Sequence, residues 1–218
     1  MIMKKYILGL SLLTLAMNSC SREEDDVITE EQLSESVRVE TVRNLKAAPG
    51  YAGPGSQFNP NRYKLYSLAK HDTIPLTEID TDKWDIGFQG TKIIINGGNI
   101  RTGNGGAALL DKPYETVNSL VSIALLRKDN SEQKLAIPSD VTDGKSWCQY
   151  DKNTHNVFAL PKTIVLRTGD GKHFAKIKIT SYYKDNEIPT YDKTLLSSGY
   201  YNFEYAYQEI PDIKVFSR

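Results

Sequence analysis

Few residues in this chain have side chains suited to chemistry. Its 218 residues include three histidines, His71, His155 and His173, and two cysteines, Cys20 and Cys148. A structural zinc site needs four nitrogen or sulfur donors at short spacing, and these five residues are too scattered to provide one. Neither a G-x-S-x-G elbow nor a P-loop occurs. Gly103-Asn-Gly-Gly106 is glycine-rich, but no Lys-Ser/Thr pair follows it, so it reads as a flexible loop. The 27 carboxylates are spread along the chain, and no pair stands out for glycosidic acid–base work. Cys148, between Trp147 and Gln149, reads as a half-buried thiol rather than a nucleophile. His155 sits in the polar turn Asp151-Lys-Asn-Thr-His-Asn156, His173 follows Gly171-Lys172, and His71 lies in Lys70-His-Asp-Thr73. Each is a turn residue, open to being either surface decoration or a donor. The inventory points to a binding protein, not an enzyme.

Cys20 has the clearest chemical context. Lys4 and Lys5 precede an apolar run, Tyr6-Ile-Leu-Gly-Leu-Ser-Leu-Leu-Thr-Leu-Ala16, and Met-Asn-Ser-Cys20 closes it. This is a charged region, an apolar region and a small-residue cut site, which together make a secretory signal. The run is too short to cross a bilayer comfortably. A cysteine in this place predicts a bacterial lipoprotein: residues 1–19 removed, Cys20 lipidated, and the mature chain held on a membrane only by its acyl chains. Removing the two signal lysines leaves 25 basic against 27 acidic residues, a net of −2 with histidine neutral. No basic run appears, so nucleic acid is not an expected partner. With Cys20 lipidated, Cys148 has no disulfide partner, and the fold must rest on its core.

Residues 20–36 are polar and acidic and read as a flexible tether. Beyond them the dominant pattern has a period of two, the signature of half-buried strands. Val37–Leu45, Tyr63–Leu68, Trp84–Phe88 and Thr91–Asn96 read this way, with Trp84, Ile86 and Phe88 sharing a face. Thr163–Thr168 and Ala175–Thr180 flank Gly169-Asp-Gly171, predicting a hairpin. In its second strand Ala175, Ile177 and Ile179 face inward, and Lys176 and Lys178 face water. Tyr201, Phe203, Tyr205 and Tyr207 form an aromatic stripe. Trp84 and Trp147 read as core anchors. Tyr114–Leu126 fits a short helix or loop and strand equally well. The expected fold is all-β: one antiparallel, strand-dominated domain over 37–218 with at most short helical pieces.

Several blocks resemble the HmuY family. They are Trp84-Asp-Ile-Gly-Phe88 with Gly90-Thr-Lys-Ile-Ile-Ile-Asn-Gly-Gly98, Trp147-Cys-Gln-Tyr150 with Thr154-His-Asn-Val157, the Ile164–Ile179 hairpin, Ser181-Tyr-Tyr-Lys184 and Tyr200-Tyr-Asn-Phe-Glu-Tyr205. They keep the family's order from about residue 37 to the C-terminus. The acidic cluster Glu23–Asp26 behind Cys20 resembles the surface-export signal of Bacteroidetes lipoproteins. The resemblance implies an all-β, haem-binding lipoprotein on the outer-membrane surface. Such a protein captures haem and passes it to a TonB-dependent outer-membrane receptor.

The resemblance also implies two axial iron ligands, His or Met. Met1, Met3 and Met17 all lie in the signal, so no mature methionine is available. His155 falls closest to the family's second ligand; His173 and His71 are the remaining histidines. The implied first ligand lies between Gly98 and about Pro138, a stretch with neither His nor Met, where Tyr114 is the one tyrosine. The alternative is a surface lipoprotein of the same fold that binds another ligand or a protein partner without iron ligation.

Overall fold

The computed structural model describes residues 28–48, 62–190 and 197–217. The signal, Cys20 and the cluster Glu23–Asp26 lie outside the described residues. The fold is all-β. Eleven strands among the described residues form three antiparallel sheets. The large sheet has the order β1 (Val37–Lys46), β11 (Ser198–Gln208), β10 (Phe174–Tyr183), β9 (Thr163–Arg167), β6 (Gly106–Leu110). The second sheet runs β3 (Asp72–Ile74), β2 (Lys64–Ser67), β4 (Ile86–Gln89), β5 (Lys92–Ile95). A two-stranded ribbon pairs β7 (Cys148–Tyr150) with β8 (Val157–Ala159). No described helix is long and apolar enough to cross a membrane.

The main core lies between the two larger sheets. The aromatic stripe of β11 fills it, with Tyr201, Phe203, Tyr205 and Tyr207 all buried. Opposite stand Tyr66, Ile86, Phe88, Ile93 and Ile95 of the second sheet. Phe88 lies 4.4 Å from Tyr201 and 5.7 Å from Phe203, centroid to centroid. Such offset aromatic pairs add about 1 kcal/mol each beyond simple burial. The second sheet is covered on its far side too, where its Leu65, Ile74 and Ile94 pack with Tyr63, Trp84, Ile79 and Leu135. A sheet buried on both faces explains why Ile93-Ile-Ile95 is a run and does not alternate. It also places Trp84 in a different layer from Ile86 and Phe88, so the three do not share one face. Gly87 fits between the layers because a Cβ there would come 2.8 Å from Ile94 Cγ1.

The predicted hairpin forms. Ala175 pairs with Leu166 and Ile177 with Ile164, and the turn closes from Thr168 to His173 with Gly171 at φ 76°. That conformation favours glycine. Ala175, Ile177 and Ile179 face the main core as expected. Lys176 does not face water: it is 6 % exposed. The outer face of the large sheet is covered by residues 114–126 and the C-terminal tail, with Tyr114, Val117, Leu120 and Phe216 buried against Val165 and Phe174. Lys176 Nζ donates to the Tyr114 carbonyl at 3.1 Å and stands 4.2 Å from its ring centroid. Burial lowers its ammonium pKa. Lys178 is half-buried and meets Glu115 at 2.8 Å.

One further expectation is corrected. The tether does not run to residue 36. Glu30–Glu35 form a helical turn (α1) started by Thr29 and Gln32, each side chain bonding the other's backbone N–H. This capping box fixes an otherwise marginal helix, and Ser36 Oγ ties it to Gln208 at 2.7 Å. Of the two readings left open for Tyr114–Leu126, the structure takes the non-helical one, with two 3-10 turns, Tyr114–Thr116 and Ile123–Leu125. Between them Leu120 N bonds Lys214 O and Phe216 N bonds Asn118 O, so the tail captures this segment in extended form.

Ile177→Asp should lower the unfolding free energy by about 3–5 kcal/mol, because it buries an unpaired charge. Lys178→Asp should cost about 1 kcal/mol or less. Urea denaturation measures both; equal losses would mean that the facing of β10 is wrong.

Candidate functional site

The four ligand candidates fall into three separate places. His71 and His173 lie at one end of the main core. His71 (φ 52°) turns from β2 into β3, and its Nδ1 lies 2.9 Å from Tyr205 Oη and 3.2 Å from Tyr66 Oη. His173 stacks on Tyr207 at 5.6 Å, with Nδ1 3.1 Å from Asp170 Oδ2. Arg38 stands beside both. It donates to Leu68 O, Ala69 O, Glu40 and Glu209, and lies 5.2 Å from the Tyr207 ring centroid. Polar Arg38 and Glu40 therefore occupy the inward side of β1, while Val39 is exposed. This end is a hydrogen-bonded network that joins turns of both sheets, with His71 exposed at its edge.

Tyr114 lies on the opposite face of the large sheet. Its hydroxyl is buried without a hydrogen-bond partner, Lys176 and Lys178 crowd its ring, and burial raises its phenol pKa. It belongs to a different core cluster from the ribbon that carries His155.

His155 sits at the exposed tip of the β7–β8 ribbon. β10 separates it from His173: that strand's ten residues, at about 3.3 Å each, span about 30 Å. The neighbour of His155 is Tyr150, the last residue of β7, whose Oη shares a hydrogen bond with His155 Nδ1. The two rings lie 6.0 Å apart. The positive φ of His155, 57°, turns its ring back toward Tyr150. Asp151 N bonds Asn156 O at 2.8 Å and closes the turn. Tyr183 holds the ribbon in place, with its hydroxyl donating to Asn156 Oδ1 and accepting from Val157 N. Cys148 at the ribbon's base is fully buried, not half-buried, and burial pushes its thiol up to about 12, which leaves it inert.

Beside this tip opens a groove of about 440 Å³, lined by Lys184, Asp185, Glu187, Ile188, Pro189, Thr190 and Ser197. Asn156 Nδ2 reaches the Pro189 carbonyl at 3.4 Å, joining the turn to the groove wall. Ile188 and Pro189 offer apolar surface, and Lys184 is a cation at the rim. The size is ordinary for a small-molecule site. The sequence reading missed Tyr150. Its signal is a tyrosine five residues before a histidine, across a turn that makes the two meet.

Also unforeseen were two buried carboxyls that hold loops to strands. Asp85 accepts from Leu68 N and Gly169 N, both at 2.8 Å, and so ties the β2–β3 turn to the β9–β10 turn. Gly169 allows this approach, since a Cβ there would lie 2.2 Å from Trp84 O. Asp129 accepts from Ile95 N and Ala136 N and organises the irregular stretch after β6. Burial pushes both carboxyls up to about 6, more than their backbone hydrogen bonds pull them down. Among the described residues no cluster of three His, Cys, Asp or Glu side chains suits a metal ion.

No family model matches this chain, and no curated protein matches it.

The two raised carboxyls set a pH dependence. In the unfolded chain an aspartate ionises near pH 4; Asp85 holds its proton in the folded state until about pH 6. Its contribution to stability is full below pH 4 and is lost as pH rises to 6. From pH 4 to 7 the wild type should lose roughly 2–3 kcal/mol that Asp85→Asn does not lose. Urea midpoints at pH 4, 5.5 and 7 measure this; parallel curves for the two proteins would contradict it.

Proposed function

We propose that this chain is a surface-held lipoprotein that binds haem or a related porphyrin at the β7–β8 tip. It would deliver haem to a TonB-dependent outer-membrane receptor, as the HmuY resemblance implies. One observation carries the reading: an oxygen donor and a nitrogen donor, Tyr150 and His155, meet at an exposed turn beside a groove of mixed lining in which Ile188 and Pro189 are apolar. Haem needs an axial donor for iron, apolar contact for the macrocycle and a polar edge for its propionates. The tip supplies the first, Ile188 and Pro189 the second, and Lys184 the third. The enclosed Tyr114 is less suited to a ligand that must enter and leave.

A second reading has an observation of its own. Val121, Ile123 and Leu125 are exposed on the outer side of the large sheet, Val121 at 89 %. An apolar patch of this kind favours a protein partner bound without iron ligation.

Haemin titrated into the mature protein should produce a sharpened, shifted Soret band. Ile188→Asp should weaken haemin binding at least tenfold, and Val121→Asp should leave it unchanged. Both side chains are exposed, so neither change threatens the fold. Loss on Val121→Asp alone would move the site to the other face, and an unaffected Ile188→Asp would remove the groove from it.

A further inference from the structure

The segment that crosses the outer face of the large sheet exposes three apolar side chains and ends in cations. We propose that Val121–Lys128 docks the domain on the anionic bilayer that holds its acyl anchor. Val121, Ile123 and Leu125 enter the headgroup boundary, and Arg127 and Lys128 meet lipid phosphates. This inference rests on the lipoprotein reading of Cys20.

The anchor joins the domain at the same end as this segment. Eight residues separate Cys20 from Thr29, the cap of α1, a reach of about 30 Å at full extension. Ser36 ties α1 to Gln208, whose Nε2 donates to Val215 O at 3.1 Å, and Val215 pairs with Ser119, two residues before Val121. At its other end the segment bridges from Arg127 to Ala107. Ala107 stands in the row that runs through Leu166, Ala175 and Tyr207 to Arg38, the second residue of β1. The crossing therefore lies along the α1 end of the sheet. Five strands are about 20 Å wide, so a bilayer touching the segment is within reach of the acyl chains.

Exposure and charge agree with that occupant. Val121 is 89 % exposed, Ile123 53 % and Leu125 48 %, while Leu120 and Leu126 on either side pack into the outer cluster. The 3-10 turn Ile123–Leu125, capped by Ser122 Oγ accepting from Ala124 N, holds these side chains outward. Val121–Lys128 contains no carboxylate. A groove of about 490 Å³ beside it gathers Arg127, Lys128 and Lys134 with no acidic lining residue, and none of the three is ion-paired among the described residues. Neighbouring acids are engaged elsewhere: Asp129 by Ile95 N and Ala136 N, Glu132 by Arg101 and Lys92, and Glu115 by Lys178. Apolar side chains backed by unpaired cations suit an anionic lipid interface. Docking here also leaves the β7–β8 ribbon clear of the membrane. Gln208 pairs with Phe174 at the start of β10, and Tyr183 holds the ribbon at the strand's end, about 30 Å away.

The test sediments the mature Cys20→Ala chain, which carries no acyl group, with vesicles of phosphatidylcholine alone or mixed with phosphatidylglycerol. Thermal melts confirm that every variant folds. Binding to the mixed vesicles should be at least tenfold tighter and should weaken as salt is raised. Val121→Asp, and Arg127→Glu with Lys128→Glu, should each weaken it at least tenfold; Ile188→Asp should not. On the acylated chain in mixed vesicles, an environment-sensitive dye at Ile123→Cys should shift to the blue and be quenched by brominated lipid. The same dye at Lys152→Cys should stay in water, and Cys148 is buried from the reagent. Vesicle binding unchanged by Val121→Asp, or a dye at position 123 that stays in water, would overturn the proposal. No vesicle binding, with Ile123→Cys crosslinking to one protein in cell membranes, would overturn it in favour of a protein partner. Mass spectrometry of the N-terminal peptide separates the two readings. An unacylated Cys20 with the Val121-dependent binding intact would end the lipoprotein reading alone. An acylated Cys20 with the dye in water would end the docking alone.

Discussion

The aromatic row of β11 is the constraint on which the rest of the structure depends. Tyr201, Phe203, Tyr205 and Tyr207 are buried together, and the hydroxyls of Tyr201 and Tyr205 fix the two sheets relative to one another. Tyr201 Oη donates to Gly90 O and Tyr205 Oη to Leu68 O, both at 2.9 Å and both across the core to the second sheet. A phenylalanine could fill the same volume but not these bonds; Leu68 O would keep Arg38 and the His71 amide as donors, so the larger loss falls on Gly90 O. β11 also pairs with β1 on one side and β10 on the other, so a one-residue slip would turn the whole row out of the core.

From this row the two ends of the molecule diverge. At the Tyr205–Tyr207 end Arg38 bonds Leu68 O, His71 bonds Tyr205, His173 bonds Asp170, and Asp85 stitches the β2–β3 and β9–β10 turns together. At the Tyr201 end the packing passes through Trp147, Tyr182 and Tyr183 to the β7–β8 ribbon. The ribbon is buried at its base, where Cys148 lies, and open at its tip. A rigid base and an exposed tip position a donor while leaving it reachable. The polar network at one end ties turns of both sheets together, and the ribbon at the other carries Tyr150 and His155 at its open tip.

Much of the fold was legible in the sequence because period-two alternation reports directly on a half-buried strand. The β9–β10 hairpin and the β11 stripe were readable for that reason. Lys176 was misread because alternation assumes one wet face, and only the tertiary fold brings residues 114–126 over the second face of β10. Trp84 was misread for another reason: β4 begins only at Ile86, so Trp84 precedes the strand and its alternation and packs in the far-side cluster. Asp85 stands in a run of buried residues, and a charge there can be recognised as odd, but its partners are backbone amides 17 and 84 residues away. The site was half legible. His155 in its polar turn was readable; its pairing with Tyr150 depends on a backbone closure and a positive φ that composition does not encode.

The most direct measurement is an amide NMR titration of the mature protein with gallium protoporphyrin IX, a diamagnetic mimic of ferric haem. A porphyrin seated at the ribbon tip predicts the largest shifts at Tyr150–Val157 and Lys184–Thr190, with the amides of Val121–Leu125 and those of His71 and His173 nearly still. Shifts centred on His71 and His173, or on Val121–Leu125, would contradict it.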